Sequence, residues 1–491
     1  GRGSRYGKLV DPDLAKTDID WTEATAFLNV AHQFYTWTRP VLNHSKGNDT
    51  FEYDRDFPGV TNFGDKTTPW ERNVYYLSGK LEALDSPCEW FLDKKDGALY
   101  LWPPVGSDPT DREVDAKARD YGFDVDGLSH IEILGFQFFG CAFRFQDCHH
   151  CVVEDCHLRF PTFASQLTEL DADRKPTTAT TMDGSHNTIR SCSLAYSSTS
   201  GFTMLGSQNT IENCLVHDLC WNGSLSYEGI DVGPGKEEDP TGQCVVRRNT
   251  VFNTGNVGIM VNGMPGNVIE YNHVYDGGLA SKDVSLVYTH LPLVDGTVIR
   301  YNWVHDCHSP HIALGIRGDD QTRGLSVHHN VVWNCDWDGI VIKGDRNRVY
   351  HNTCFNNAGC DILVFNTPEP LKPWRKQWPL LEQQNQNTKT FNNCAAVIRS
   401  ERGDKGGPPG GQASNNFEGD EPILENPASF DFRPKEGSPL VDAGRIIPGL
   451  TEDYQGSAPD IGAYENGGEK WIPGCNLGDK EDWPASGDAR H

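Results

Sequence analysis

The strongest constraint on this chain is a repeat that runs from Asn187 to Val364. Asn187-Thr-Ile189 is followed by Cys192, and Asn209-Thr-Ile211 by Cys214. The beat returns at Val246/Asn249, Ile269/Asn272, Ile299/Asn302, Val327/Asn330 and Val349/Asn352. The intervals between apolar anchors are 22, 35, 23, 30, 28 and 22 residues, a base period of 22 with loops added. A second beat follows each anchor, as in Val216-His-Asp218, Val251-Phe-Asn253 and Val304-His-Asp306. A third follows that: Gly229-Ile-Asp231, Gly258-Ile-Met260, Ser285-Leu-Val287, Gly315-Ile-Arg317, Gly339-Ile-Val341 and Asp361-Ile-Leu363. Three short strands per repeat, separated by Asn, Asp and Gly turns, predict a right-handed parallel β-helix. One coil cannot bury its own inner face, so coils stack and share a core. Leucine-rich repeats need a Leu consensus that is absent, and helical repeats need a 3.6-residue period that is absent too.

The Asn column (Asn249, Asn272, Asn302, Asn330, Asn352) fits the prediction. Asn tolerates a left-handed bend, and stacked amides can hydrogen-bond up the ladder. Cys156, Cys192 and Cys214 share one inward column and read as small buried hydrophobes. Cys307 and Cys335 share another, where a rung-to-rung disulfide is an alternative to packing. Cys148-His-His-Cys151 with Cys156 offers zinc-type ligands, but it straddles a coil corner and reads as packing.

The expected fold is all-β: a parallel β-helix with a small N-terminal β-sandwich module. Residues 1–20 read as an irregular segment and 21–105 as the sandwich-like module, which is rich in Trp, Tyr and Phe. Trp90-Phe-Leu92 and Leu99-Tyr-Leu-Trp102 read as a hairpin closed by Lys-Lys-Asp-Gly. The solenoid is expected over 126–400, with loops at 161–180 and 366–388. Residues 401–491 read as a linker and a tail that packs on the solenoid. A formal charge of −26 argues against nucleic acid, which needs a basic face. No apolar run reaches the ~20 residues of a membrane span.

The coils, the segment Ser86-Pro-Cys-Glu-Trp-Phe-Leu-Asp-Lys-Lys-Asp-Gly-Ala-Leu-Tyr-Leu-Trp-Pro-Pro104 and the tail motif Pro459-Asp-Ile-Gly-Ala-Tyr-Glu465 together resemble secreted bacterial β-helix proteins of the pectate-lyase-like superfamily. Within it the pattern is similar to carbohydrate-active members with a β-sandwich in the first coils, such as the β-xylosidase family of that architecture. The resemblance implies a secreted or cell-surface protein acting on a polysaccharide or oligosaccharide. It covers nearly the whole chain and is specific for architecture. It is weak for reaction, because the superfamily holds lyases, hydrolases, epimerases and adhesins.

Insertions point to the working face. Coils 211–246, 269–299 and 299–327 carry extra residues, and adjacent loops on one side wall a cleft. If Ile230, Ile259, Leu286, Ile316, Ile340 and Ile362 point inward, then Asp231, Met260, Val287, Arg317, Val341 and Leu363 point outward. Asn262, Thr289, Asp319 and Lys343 follow at the next outward or edge positions. Glu228, Asp283 and Asp338 precede the strands. Trp221, Tyr227, Lys282, His290, His308 and His311 lie in the loops.

A glycosidase needs two carboxylates. The expected catalytic set is Asp283 and Asp319, with Glu228 or Asp231 as alternatives to Asp319. Arg317, Lys343, Lys282, His290, His308, His311 and Asn262 are expected to bind substrate, with Tyr227 and Trp221 stacking on sugar rings. A polysaccharide lyase would use Lys282, Lys343 or His290 as base. Arg317, or a Ca²⁺ held by Glu228 and Asp231, would then neutralise a uronate; no Asp-x-Asp-x-Asp-Gly loop supports the ion. Each lone Asp at a β-helix turn is by default a turn former, and Asp218 and Asp306 belong to the repeat. A glycan-binding or structural solenoid is the non-enzymatic alternative.

Overall fold

A computed structural model describes residues 3–5, 7–29, 36–53, 70–71, 74–111, 114–163, 179–223, 227–235, 241–309, 311–366, 384–401, 406–419 and 423–477. Three parallel sheets of eleven strands each wrap one axis. The first sheet runs from Tyr121–Asp126 to Ile398–Arg399, the second from Glu132–Leu134 to Gln412–Ser414, and the third from Gln137–Phe139 to Phe417–Glu418. Each repeat anchor pairs with the next: Ile211 with Val246, Val246 with Ile269, Ile269 with Ile299. Parallel strands joined by crossovers wind right-handed. The fold is a right-handed parallel β-helix, as the repeat predicts. It is longer than expected at both ends: the coils begin at Tyr121, and 412–418, expected within the linker, form strands of the last coil. Most of the loops at 161–180 and 366–388 lies outside the described residues.

Ile189, Ile211, Val246, Ile269, Ile299, Val327 and Val349 all point into the core and are buried, together with Cys156, Cys192 and Cys214. Cys307 and Cys335 are free buried thiols, not a disulfide. The Asn column is a continuous amide ladder. Asn249, Asn272, Asn302, Asn330, Asn352 and Asn393 each donate Nδ2–H to Oδ1 of the next, ending on Asn416, at 2.9–3.0 Å. The same oxygens accept backbone N–H groups, as Asn302 Oδ1 does from Asn272.

The left-handed bend lies one residue earlier than expected. Arg248, Tyr271, Tyr301, His329 and His351 carry the positive φ of 48–56°. Their side chains leave the coil there, so size is tolerated, and the buried Asn that follows satisfies the corner's amides. Asn does occupy the bend at the third sheet's exit, where Asn253 and Asn334 alternate with Asp218 and Asp306.

The N-terminal module is a seven-stranded antiparallel sheet between Gly3 and Ser78. Its first two strands, Gly3–Arg5 and Lys8–Val10, stand where an irregular segment is expected; they form a tight hairpin turning at Gly7. One face buries Leu9, Ala26, Leu28, Val41 and Phe51. From the other face Phe27 stacks on Tyr76 at 4.2 Å and joins the solenoid's own apolar cluster. The hairpin Trp90–Asp93/Ala98–Leu101 forms as predicted.

The tail packs back along the third sheet. Phe432, Leu440, Ile461 and Tyr464 cover Trp303, Val331 and Cys394. Trp303 Nε1–H donates to the Tyr464 hydroxyl at 3.1 Å, and Ala463 N–H to Thr353 Oγ1 at 2.9 Å. Among the described residues no helix is long and apolar enough to cross a membrane.

Candidate active site

The outer face of the first sheet carries the predicted residues, with one register correction. Val287 pairs with Ile259 and Ile316 and points inward, and Tyr288 pairs with Met260 and Arg317. The outward column is therefore Asp231, Met260, Tyr288, Arg317, Val341. Likewise Thr289 is buried, and His290 shares a register with Asp319. Both alignments of Ser285-Leu-Val-Tyr288 place a hydrophobe inside, so the repeat alone could not choose. The alternation of Tyr288 and His290 with buried neighbours was the available signal.

The strand Ala313–Arg323 is eleven residues long, and its register breaks between Gly318 and Thr322. Asp320 and Gln321 have φ of 47° and 76°, and Leu291, beside His290, has 71°. Positive φ also marks the ordinary coil corners, so the break in register is what sets this segment apart.

This segment holds a charge network. Arg317 donates to Asp283 Oδ1 at 2.7 Å and pairs with Asp319 Oδ2 at 2.6 Å. Lys343 reaches Asp319 Oδ1 at 2.7 Å. One guanidinium thus holds two carboxylates, and their bonded oxygens lie within about 8 Å of each other, the width of the fork plus two bonds. Burial alone would raise the Asp319 carboxyl; the charges of Arg317 and Lys343 outweigh it and hold the group well below the usual range. Burial likewise opposes the charge on Arg317, and Asp319 and Asp283 overcome it. Asp319 and Arg317 are 5% and 7% exposed. Asp319 is thus disfavoured as the acid of a carboxyl pair, and in this structure it holds Arg317 and Lys343.

Arg317 lies over the Tyr288 ring at 5.6 Å, and Tyr288 stacks on His290 at 5.4 Å. Asn262 Oδ1 accepts the His290 backbone N–H at 3.0 Å and lies 2.8 Å from its Nδ1. Asn262, His290, Asp319, Arg317, Lys343 and Asp283 thus come together as expected. Lys282 is half-buried next to Asp283, and the His311 carbonyl accepts the Asp283 N–H at 2.9 Å.

Three coils before Arg317, half-buried Asp231 stands beside Glu228. Burial pushes the Asp231 carboxyl up to about 7. Burial, then the Asp231 charge, drives Glu228 well above the carboxylate range. Glu228 is wholly buried and cannot touch a substrate, which removes it as a catalytic residue. Tyr227, 9% exposed, belongs to the core cluster that Phe27 joins, so it is no stacking platform. Trp221 is exposed on a corner after the third sheet's strand Leu215–Leu219. His308 lies on another such corner, 3.3 Å from Asp336 Oδ1, and exposed His311 packs on Trp337. Trp221 and His308 are not brought into the Arg317 network, and His311 meets it through its backbone carbonyl on Asp283.

Among the described residues no three His, Cys, Asp or Glu side chains converge as metal ligands. Cys148, Cys151 and Cys156 point into the core. A cavity of about 460 Å³ between Arg399, Pro408 and Asn416 lies at the far end of the coils.

Residues 178–370 match the family described as right handed beta helix region. No curated protein matches the chain. Among solved structures, pectate lyase Pel9A is similar at 15% identity and a TM-score of 0.43, over 65% of this chain and 79% of that one. A glycoside hydrolase is similar at 14% identity and a TM-score of 0.48, over 69% and 70%. The PL6 family polysaccharide lyase Pedsa3628 from Pseudopedobacter saltans is similar at 13% and 0.34, over 74% and 93%. The matched family and the coil geometry define a right-handed parallel β-helix. The reaction must be argued from side chains, because one fold hosts many chemistries.

Proposed function

We propose that this protein is a secreted or cell-surface carbohydrate-active enzyme that hydrolyses glycosidic bonds on the outer face of the first sheet. One observation carries the reading. Carboxyl groups with opposite surroundings share this face: Asp231 is sunk beside Glu228, while Asp283 is tied to Arg317. Glycoside hydrolysis needs such a pair, one carboxyl protonated and the other ionised. Asp231 is the general acid and gives its proton to the leaving oxygen. Asp283, tied to Arg317, activates water on the opposite side of the sugar. Their strands are two coils apart, a rise of about 10 Å, and Asp283 stands before Tyr288, the residue that shares a register with Asp231, so their backbone positions lie wider than the roughly 6.5–9.5 Å between the carboxyls of an inverting pair. Tyr288 shares a register with Asp231, and Asn262 and His290 lie beyond it on the same face. Asp319 and Lys343 position Arg317.

A polysaccharide panel tests this, read both as new reducing ends and as ultraviolet absorbance of unsaturated uronate. Reducing ends alone support hydrolysis. A joint rise replaces hydrolysis with elimination. Glycan binding without either product leaves a binding solenoid.

A further inference from the structure

If the outer face of the first sheet is a glycan cleft, its charge pattern narrows what enters it. Four cations along that face, Arg144, Arg317, Lys343 and Arg399, come already paired. Arg144 forks onto Asp124 at 2.8 and 2.6 Å. Arg317 is held between Asp283 and Asp319, and Lys343 sits on Asp319. Arg399 binds Glu418 at 2.8 Å. Around Tyr288, the two cations Arg317 and Lys343 thus meet two carboxylates, and the remaining floor is Met260, Asn262 and His290. We infer that this cleft is built for an uncharged glycan and discriminates against uronic acids and sulfated sugars.

The physical reason is competition. An acidic sugar can reach Arg317 only by displacing Asp283 or Asp319, and displaced Asp319 would be a buried charge with one partner fewer. Without displacement it adds a third anion beside two, and like-charge juxtaposition is expensive. A neutral sugar asks for neither. It can lay its apolar face on Tyr288 and hydrogen-bond with the amide of Asn262 and the ring of His290. The chain's charge of −26 works in the same direction at long range.

The test is binding of the whole chain to an array of matched glycans, including polyuronates and the same polymers with carboxyl groups reduced to alcohols. Neutral members should bind at least about 10-fold tighter than their acidic parents. Asp283→Asn, which frees one arm of Arg317, should narrow that ratio by raising affinity for the acidic member. Tighter binding of the acidic parent overturns the inference, and so does an unchanged ratio in Asp283→Asn. No binding to either set removes the cleft itself. Neutral binding without hydrolysis overturns the proposed reaction and leaves this inference standing.

Discussion

The first and third sheets are made by the same coils, yet their outer faces differ in kind. The third presents a column of rings in which His217, Phe252, Tyr275, His305 and Trp333 stack at 4.0–5.1 Å. The tail then covers its later part, with Phe430 on Trp303 at 5.3 Å and Phe432 against Trp333 at 5.0 Å. The first presents ion pairs and an interrupted register. One face has been sealed with apolar area, and the other keeps ion-paired polar groups and a broken register. A solenoid can separate stability from chemistry because each coil contributes to both faces independently.

That separation can be tested from the largest expected effect downward. Asp231→Asn should lower kcat by about 10²–10⁴ with little loss of Tm. In the parent, activity should fall as pH rises through about 7, where Asp231 loses its proton. The sign for stability is the same: the unfolded carboxyl ionises near 3.8, so between there and about 7 the folded state alone holds the proton and loses stability as pH rises. Tm profiles of Asp231→Asn should show a shallower slope, with Glu228 and Glu465, both raised by burial, keeping their share. Arg317→Ala should breach the separation, costing about 3–5 kcal/mol by stranding Asp319 and abolishing turnover; denaturant melts and rate assays read the two. Trp303→Ala should cost about 3–5 kcal/mol on the sealed face and leave kcat unchanged below the melt.

Acid sharpens the contrast. Burial pushes His273 and His328 down to about 3 and His351 to about 4. Unfolded histidines take protons below about 6.5 while these stay neutral, so stability falls as pH drops from there toward 4. The tail should become protease-sensitive in that window, opposite in sign to the effect of Asp231. Asn302→Ala should cost about 1–3 kcal/mol, measured by chemical denaturation. His308→Ala should change stability by less than about 0.5 kcal/mol and leave activity intact.

The fold was legible because its determinants are local and repeated. Ile211, Val246 and Ile269 had to be buried, and only stacking buries them. That Arg317, Asp283, Asp319 and Lys343 share a face was legible too, because they lie on adjacent coils; that they bind one another was not, because repeat spacing does not fix where side chains reach. Tyr288 was missed through ambiguity, since Leu286 or Val287 could each fill the inner position. Tyr227 and Glu228 were misplaced for another reason. Glu228 closes into the coil, and the cluster around Tyr227 also takes in Phe27 from a module 200 residues away, which no local pattern announces. The left-handed corner was read one position late, because the frequent Asn was credited with the bend that Arg248 or Tyr301 makes.

The amide ladder has a consequence for how such a chain can change. Asn330 reaches Asn352 across 22 residues, and Asn352 reaches Asn393 across 41, with the same 3.0 Å bond. Contour length between rungs is thus a free variable, while pitch is quantised. Whole loops can be inserted, trimmed or exchanged between two asparagines without moving any rung above or below. The walls of the cleft can be rewritten while its floor keeps its coordinates, so loop grafting between asparagines is the natural route to new specificity on this scaffold.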